Sequence, residues 1–211
     1  MVSLRLLKAA PALRGLALVA GALTVAGAAA AQTAPPPATF GPPIAGLCLF
    51  ARGAAVARSQ VGVSAEQQLS QFAQGIDAEL KAQATAIHND DHALLGQKAS
   101  LPAAEYQQRV NQLRQRISEL EHTRALRGAQ LALTRKDALA QIGKILEPGM
   151  NETITARRCS VVFEGTVAYG SADAMDITPA VIQRMDAMQT VVALRLATPE
   201  AAQAAAQPAA R

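Results

Sequence analysis

Two short apolar runs bracket a long stretch of helix-forming sequence in this chain. The runs are Ile44 to Phe50 and Cys159 to Phe163, and about a hundred residues rich in Ala, Gln, Leu, Arg and Glu separate them. Short apolar runs of this kind are typical of buried strands, whereas the residue types between them favour helix. The pattern predicts an α+β fold, in which the two strands lie side by side in a small β body and a long antiparallel helical hairpin protrudes from it.

The hairpin is predicted to span residues 64–157. Ser64 and Gln67 have the spacing of a capping box, in which each side chain satisfies a backbone donor at the start of a helix. Helix is therefore expected from about residue 65, after an interruption at Val61 to Val63. The chain is expected to reverse between Gly96 and Pro102, because glycine can end one helix and proline can open the next.

The two legs of this hairpin carry a narrow apolar seam and opposite net charges. Residues 64–98 hold five acidic and two basic side chains, whereas residues 105–147 hold five acidic and eight basic ones. Opposite charges favour pairing of one leg along the other, although each exposed pair contributes only ~0.2–1 kcal/mol. The seam follows the three- and four-residue steps of a coiled coil. It consists of Leu69, Phe72, Ile76 and Leu80 on the first leg and Tyr106, Val110, Leu113, Ile117 and Leu120 on the second.

The first 31 residues are predicted to be a signal peptide. Arg5, Lys8 and Arg14 give a basic start, an Ala/Leu/Val/Gly run follows, and Ala29 to Ala31 supply the small residues of a cleavage site. A membrane anchor is the alternative, but the apolar run of about 17 residues is short against the ~20 that a span needs. Cleavage near Ala31 would release a soluble, exported protein.

Removal of the signal peptide changes the charge balance of the chain. The loss of its three basic residues reduces the total from 20 to 17, against 16 acidic ones, so the net charge falls from +4 to +1. The basic character therefore belongs largely to the signal peptide. No nucleic-acid partner is expected.

Composition assigns the remaining segments. Residues 32–43 form a Pro-rich leader, which is expected to be extended. Residues 197–211 are rich in Ala, Gln and Pro and have little to bury, so this tail is predicted to be disordered. The β body is predicted to comprise residues 44–63, with the first strand, and residues 158–196. A third short strand at Thr166 to Tyr169 is expected in it.

The body is also expected to hold a last helix and a final extended edge. Thr178 is predicted to cap the helix, with Pro179 as its first residue and its end near Met188. Residues 190–196 would form the edge.

Cys48 and Cys159 are the two cysteines of the chain. An exported protein is exposed to an oxidising compartment. If the strands pair antiparallel, both cysteines lie at the hairpin end of their strands and face each other, so a disulfide is predicted. Two buried free thiols are the alternative. A redox-active pair is disfavoured because there is no Cys-x-x-Cys spacing.

No motif for catalysis is present in the sequence. Phosphate-binding loops, dinucleotide fingerprints and nucleophile elbows are all absent. His88 and His92 have a spacing that could hold a metal on one helical face, but the Glu that follows the first His in a His-Glu-x-x-His site is missing. A solvated polar face near the hairpin tip is the favoured interpretation. The chain is predicted to be no enzyme and to need no cofactor or metal.

Residues 159–182, CSVVFEGTVAYGSADAMDITPAVI, resemble the Skp/OmpH family of periplasmic chaperones. In that family a strand of this kind is followed by a helix that starts at Asp-Ile-Thr, here Asp176, Ile177 and Thr178. The likeness extends over residues 44–188. It implies a homotrimer in which the strands form a shared body and three hairpins, or tentacles, surround a cavity. That cavity would hold unfolded outer-membrane proteins without ATP.

The physics of short strands agrees with a shared body. Two or three short strands are marginal in one chain, and pooling them in an oligomer closes the sheet and buries its edges. The side chains expected in this body are Leu47, Leu49, Val161, Phe163, Val167 and Tyr169.

The charge of the hairpin departs from the family pattern. Tentacles of the family are strongly basic, whereas the two legs here nearly cancel, so no binding to anionic lipid or lipopolysaccharide carries over. The alternative function is a periplasmic coiled-coil adaptor or envelope-assembly scaffold. Such a protein would have a rigid prong and a fixed, folded partner.

Overall fold

The computed structural model describes residues 39–206, so the predicted signal peptide, most of the Pro-rich leader and the last five residues lie outside the described residues. The fold is mostly helical, with two long packed helices and a small two-stranded sheet. In order, the elements are β1 (Leu47–Phe50), α1 (Arg52–Arg58), α2 (Gln60–Gly96), α3 (Ala103–Arg157), β2 (Val161–Glu164), α4 (Thr178–Met188) and α5 (Pro199–Ala206). Single 3-10 turns at Gly165–Val167 and Asp173–Met175 connect β2 to α4.

Helix α2 begins earlier than the sequence predicts. It starts at Gln60, so the predicted interruption and the start at about residue 65 are wrong. The hydroxyl of Ser59 accepts a hydrogen bond from the Gly62 amide at 3.3 Å, and Asp186 of α4 accepts one from the Gln60 amide at 2.7 Å. These acceptors satisfy amides that have no partner within the helix. Gly62 is needed for close packing, because an added Cβ would overlap the Val56 carbonyl oxygen.

The two strands pair in parallel, so the predicted antiparallel arrangement is wrong. The cause is the length of α3. Arg135 of α3 pairs with Glu66, six residues after α2 begins, and α3 continues for another 22 residues. At ~1.5 Å per residue its end extends about 24 Å past the start of α2. The chain therefore reaches the far end of β1 before β2 begins, where the Gly46 carbonyl accepts the Val161 amide at 3.0 Å.

The core lies where β1, α1 and α4 pack against the base of the hairpin. These elements come from both ends of the chain. The core therefore includes only the end of the hairpin next to the body, which we call its root, and the rest of the hairpin lies outside the core. Side chains with no exposed surface include Ala55, Val61, Leu146, Val181 and Met185.

Two predictions for the segment after β2 need correction. Thr166 to Tyr169 do not form a strand, since a 3-10 turn covers Gly165–Val167. Thr178 is the first residue of α4 and not its cap residue. Its hydroxyl instead accepts a hydrogen bond from the Ala51 amide at 2.9 Å and so connects α4 to the chain between β1 and α1.

Within the predicted C-terminal tail, Pro199–Ala206 form helix α5, so the prediction of disorder is wrong for this part. The Thr198 hydroxyl accepts a hydrogen bond from the Ala201 amide at 3.3 Å and starts this helix. The pKa of the Glu200 carboxyl lies below its usual range, first because of a hydrogen bond with its own backbone and then because of one with the Thr198 hydroxyl. Ala202 is 1 % exposed, and α5 packs on α3. A small side chain is buried here because another helix approaches closely.

We expect Leu146→Ala to lower the free energy of unfolding by about 2–5 kcal/mol, because it opens a cavity in the core. Leu139→Ala, on the same helix, removes a side chain that is 53 % exposed and should cost no more than about 0.5–1 kcal/mol. Urea denaturation at one protein concentration measures both. Equal losses for the two variants would contradict the proposed position of the core.

Candidate interaction surfaces

The hairpin seam is buried at its root and thin along the rest of its length. Leu69 is 5 % exposed and belongs to the core together with Ala138 and Ile142. Of the other predicted seam residues, Ile117 is 42 % exposed and the rest are half-buried. Leu94, near the reversal, is the next fully buried apolar side chain on α2. Between the root and the tip of the hairpin, α2 and α3 therefore pack against each other through half-buried side chains.

Charged side chains connect the two helices at intervals along this thin seam. Arginines of α3 face acidic residues of α2, as the opposite leg charges predict. The ion pairs are Arg135 with Glu66 at 3.4 Å, Arg127 with Glu79 at 3.0 Å, and Arg116 with Asp90. These side chains are partly or largely exposed, so each pair stabilises the hairpin by at most ~1 kcal/mol. The pairs match the register in which the two helices pack, and they add little to stability.

One face of the small sheet is apolar and only partly covered. In a strand, alternate side chains point to opposite faces. Cys48, Phe50 and Val162 point to the helical core. The opposite face holds four of the side chains predicted for a shared body, namely Leu47, Leu49, Val161 and Phe163. Val161 and Phe163 are each 48 % exposed, whereas Leu49 is 8 % exposed and lies within the subunit.

Apolar side chains are also exposed after β2. The sheet contains β1 and β2, and among the described residues no strand lies on the free side of β2. Beyond β2, Val167 is 73 % exposed and Tyr169 is fully exposed. Edge strands with exposed apolar side chains are suited to pairing with another chain. Of the side chains predicted for a shared body, Val161, Phe163, Val167 and Tyr169 are thus largely exposed, whereas Leu47 is half-buried and Leu49 is buried.

A disulfide joins Cys48 and Cys159 in the structure, with Cα atoms 5.8 Å apart. The cysteines do not face each other across paired strands as predicted, because Cys48 lies opposite Val162 in the parallel register. Cys159 instead follows Arg158, a residue in the left-handed conformation that ends α3. The bridge therefore connects β1 to the end of the long helix.

An apolar groove at the root of the hairpin was not foreseen from the sequence. It has a volume of about 480 Å³ and lies among α1, α2 and α3. Its lining includes Val56, Leu69, Leu139 and Ile142, together with the ion pair of Glu66 and Arg135. These residues are far apart in the sequence, so periodicity within one helix gives no signal for the groove.

Side chains that could support chemistry are dispersed over the described residues. His88 and His92 are both exposed on α2. Within residues 39–206, no three or more His, Cys, Asp or Glu side chains come together as a metal site would need. No helix in that range combines the length and the apolar character that crossing a membrane requires.

The structure combines a long, thinly packed hairpin with a small body whose sheet has a partly exposed apolar face. These features are typical of a protein that binds other proteins. The model of the OmpH family, described as outer membrane protein (OmpH-like), matches residues 52–185. The chain belongs to this family of Skp-like, periplasmic, non-enzymatic chaperones for outer-membrane proteins.

A solved structure supports the assignment. The chain is similar to a candidate outer membrane chaperone (OmpH-like) from Caulobacter crescentus CB15, with 26 % identity and a TM-score of 0.72. The match covers 77 % of this chain and 96 % of that one. No curated protein matches the chain significantly.

We expect replacement of both Cys48 and Cys159 by serine to lower the free energy of unfolding by about 2–5 kcal/mol. The reason is that the bridge closes a loop of 111 residues and so restricts the unfolded chain. Urea denaturation of the oxidised parent, the reduced parent and the double variant checks this. Protein isolated from the periplasm should also weigh two hydrogen atoms less than its reduced form. Two free thiols in that material would rule out the bridge.

Proposed function

We propose that this protein is an ATP-independent holdase that is exported to the periplasm and works as a homotrimer. Three hairpins would surround a cavity that holds unfolded outer-membrane proteins and prevents their aggregation. The observation that carries the proposal is the separation of a packed root from a thin, half-exposed arm. Such an arm exposes weakly apolar and charged surface to a polypeptide that has no fixed shape.

The open sheet supports a trimer as the working unit. Val161 and Phe163 expose apolar surface on one face, and β2 offers an unpaired edge beside them. A two-stranded sheet is marginal alone, so pooling the strands of several chains removes edges and covers this face. A shared sheet also places the roots of the hairpins close together. The arms then extend from one body and enclose a common space.

Many weak contacts are sufficient for holding a client inside such a space. The half-buried seam residues, among them Phe72, Val110 and Leu113, leave some apolar surface at many points along the arm. A segment bound to one arm remains at high effective concentration near the other arms. Binding is then tight overall while each contact exchanges rapidly. No nucleotide is required, since release can follow from transfer of the client to a stronger partner.

Export is part of the proposal. The predicted signal peptide, with cleavage near Ala31, would direct the chain to the periplasm, where a disulfide between Cys48 and Cys159 can form and persist. Contact with anionic lipid or lipopolysaccharide is not part of it, because the charges of the two legs nearly cancel.

The register of ion pairs along the arm favours a second candidate function, a coiled-coil adaptor or envelope-assembly scaffold. An adaptor needs a prong of fixed shape, and pairs such as Arg127 with Glu79 restrict sliding of the helices. An adaptor would bind one folded partner and would not bind unfolded polypeptides.

Dilution of an unfolded β-barrel protein from urea distinguishes these functions. We expect light scattering of the barrel protein to be suppressed by a several-fold excess of the trimer, because its exposed strands are sheltered in the cavity. Adding a folded globular protein in place of the trimer controls for crowding. Aggregation at an unchanged rate would remove the holdase and favour the adaptor.

We expect Phe163→Glu to convert the trimer to a monomer, because it buries a charge in the shared sheet. Leu95→Glu is the matched control, since Leu95 is 56 % exposed at the far end of the hairpin and should leave the trimer intact. Light scattering gives the mass, and circular dichroism verifies that both variants keep their helices. A parent protein that is monomeric at micromolar concentration, or a trimer that survives Phe163→Glu, would contradict the shared body.

A further inference from the structure

The C-terminal segment, residues 190–206, lies outside the part of the chain that the family model matches. We call this segment the strap. It follows α4, runs extended over the root of the hairpin, and ends in α5 against α3. Val192 and Leu194 are buried in the core, and Ala202 is buried against the helices. The strap is therefore packed, although it forms no strand.

Gln68 of α2 holds the first part of the strap. Its side-chain nitrogen donates a hydrogen bond to the Val192 carbonyl at 2.6 Å, and its side-chain oxygen accepts one from the Leu194 amide at 3.0 Å. The backbone groups of an extended segment usually form hydrogen bonds with a neighbouring strand. Here the carboxamide of Gln68 takes the place of that strand for the Val192 carbonyl and the Leu194 amide.

Gln130 and Thr134 of α3 hold the second part in the same way. The Gln130 side chain donates to the Ala197 carbonyl at 2.5 Å, and the Thr134 hydroxyl accepts from the Ala197 amide at 2.9 Å. Both side chains are 2 % exposed. Buried polar groups that lose their partners are costly, so these two residues favour the docked strap strongly over a detached one.

We propose that the strap is a brace that ties α2 to α3 at the root of the hairpin and confines bending to the part beyond it. It is attached to both helices, through Gln68 on one and Gln130 and Thr134 on the other. It also adds apolar contacts where the seam is already deepest. Between the strap and the tip of the hairpin, α2 and α3 contact each other through the half-buried seam and the exposed ion pairs. The arm is thus a stiff lower part that continues into a flexible upper part.

Hydrogen–deuterium exchange of the mature protein tests this with two matched threonines. Thr134 and Thr123 both donate a hydrogen bond to the carbonyl four residues earlier at 2.8 Å, but only the Thr134 hydroxyl also accepts from the strap. We expect Thr134→Val to speed exchange of the strap and of residues 60–72 and 130–142 about three- to tenfold. Residues 80–96 and 103–120 should exchange as before. Thr123→Val should leave the strap and the root unchanged.

A glutamine pair gives a second comparison on the other helix. Gln68 and Gln74 each donate to the serine hydroxyl four residues earlier, at 3.3 and 3.2 Å, and Gln68 also binds the strap. Gln68→Ala should loosen the same segments as Thr134→Val, and Gln74→Ala should not. A chain that ends at Gln189 should show the largest increase in exchange at the root.

Three outcomes would overturn the brace. The first would be that the strap amides of the parent protein exchange as fast as those of an unstructured peptide. The second would be that Thr134→Val has no more effect than Thr123→Val. The third would be that the faster exchange in Thr134→Val spreads evenly over both helices. None of these measurements involves a client, so their result is independent of the proposed chaperone function.

Discussion

Helix α3 passes the start of α2 and packs its last turns into the body, and this overhang sets the geometry below the hairpin. It delivers the chain to the far end of β1, so β2 runs parallel to β1. The parallel register places Val161 beside Leu47 and Phe163 beside Leu49, which gathers the exposed apolar side chains on one face. A shorter α3 would start β2 at the other end of β1. The sheet, its open face and the position of Cys159 all depend on this one length.

Burial along the hairpin is deepest at its root, and the seam beyond the root is mostly half-buried as far as Leu94 near the reversal. At the root, Leu69, Ala138 and Ile142 are part of a core built from both ends of the chain. Farther out, two helices alone cannot bury a seam from water on every side, so the same spacing of apolar residues gives half-exposed side chains. The stability of the arm therefore comes mostly from its root, since helical stability in proteins derives largely from tertiary packing.

Much of the hairpin could be predicted from the sequence because its signals are local. Spacing locates the seam, the leg charges indicate the ion pairs, and Gly96 and Pro102 frame the reversal. The errors share a different cause. The early start of helix α2 depends in part on Asp186, more than a hundred residues away, which accepts from the Gln60 amide and adds to the local cap at Ser59. The strap is ordered because Gln68, which is half-buried, and Gln130, which is buried, form hydrogen bonds with its backbone. Composition alone could not reveal either, since both depend on groups brought together only by the fold.

The same reasoning bears on the choice between holdase and adaptor. The proposed brace at the root would combine a rigid lower part and a flexible upper part in one arm. If the root is fixed by Gln68, Gln130 and Thr134, the arms of the proposed trimer would keep a defined spacing at the body, and the far end of the proposed cavity could widen around clients of different size. An adaptor would need the opposite distribution of stiffness, with its firmest packing at the tip that meets the partner. The decline of burial from root to arm therefore favours the holdase.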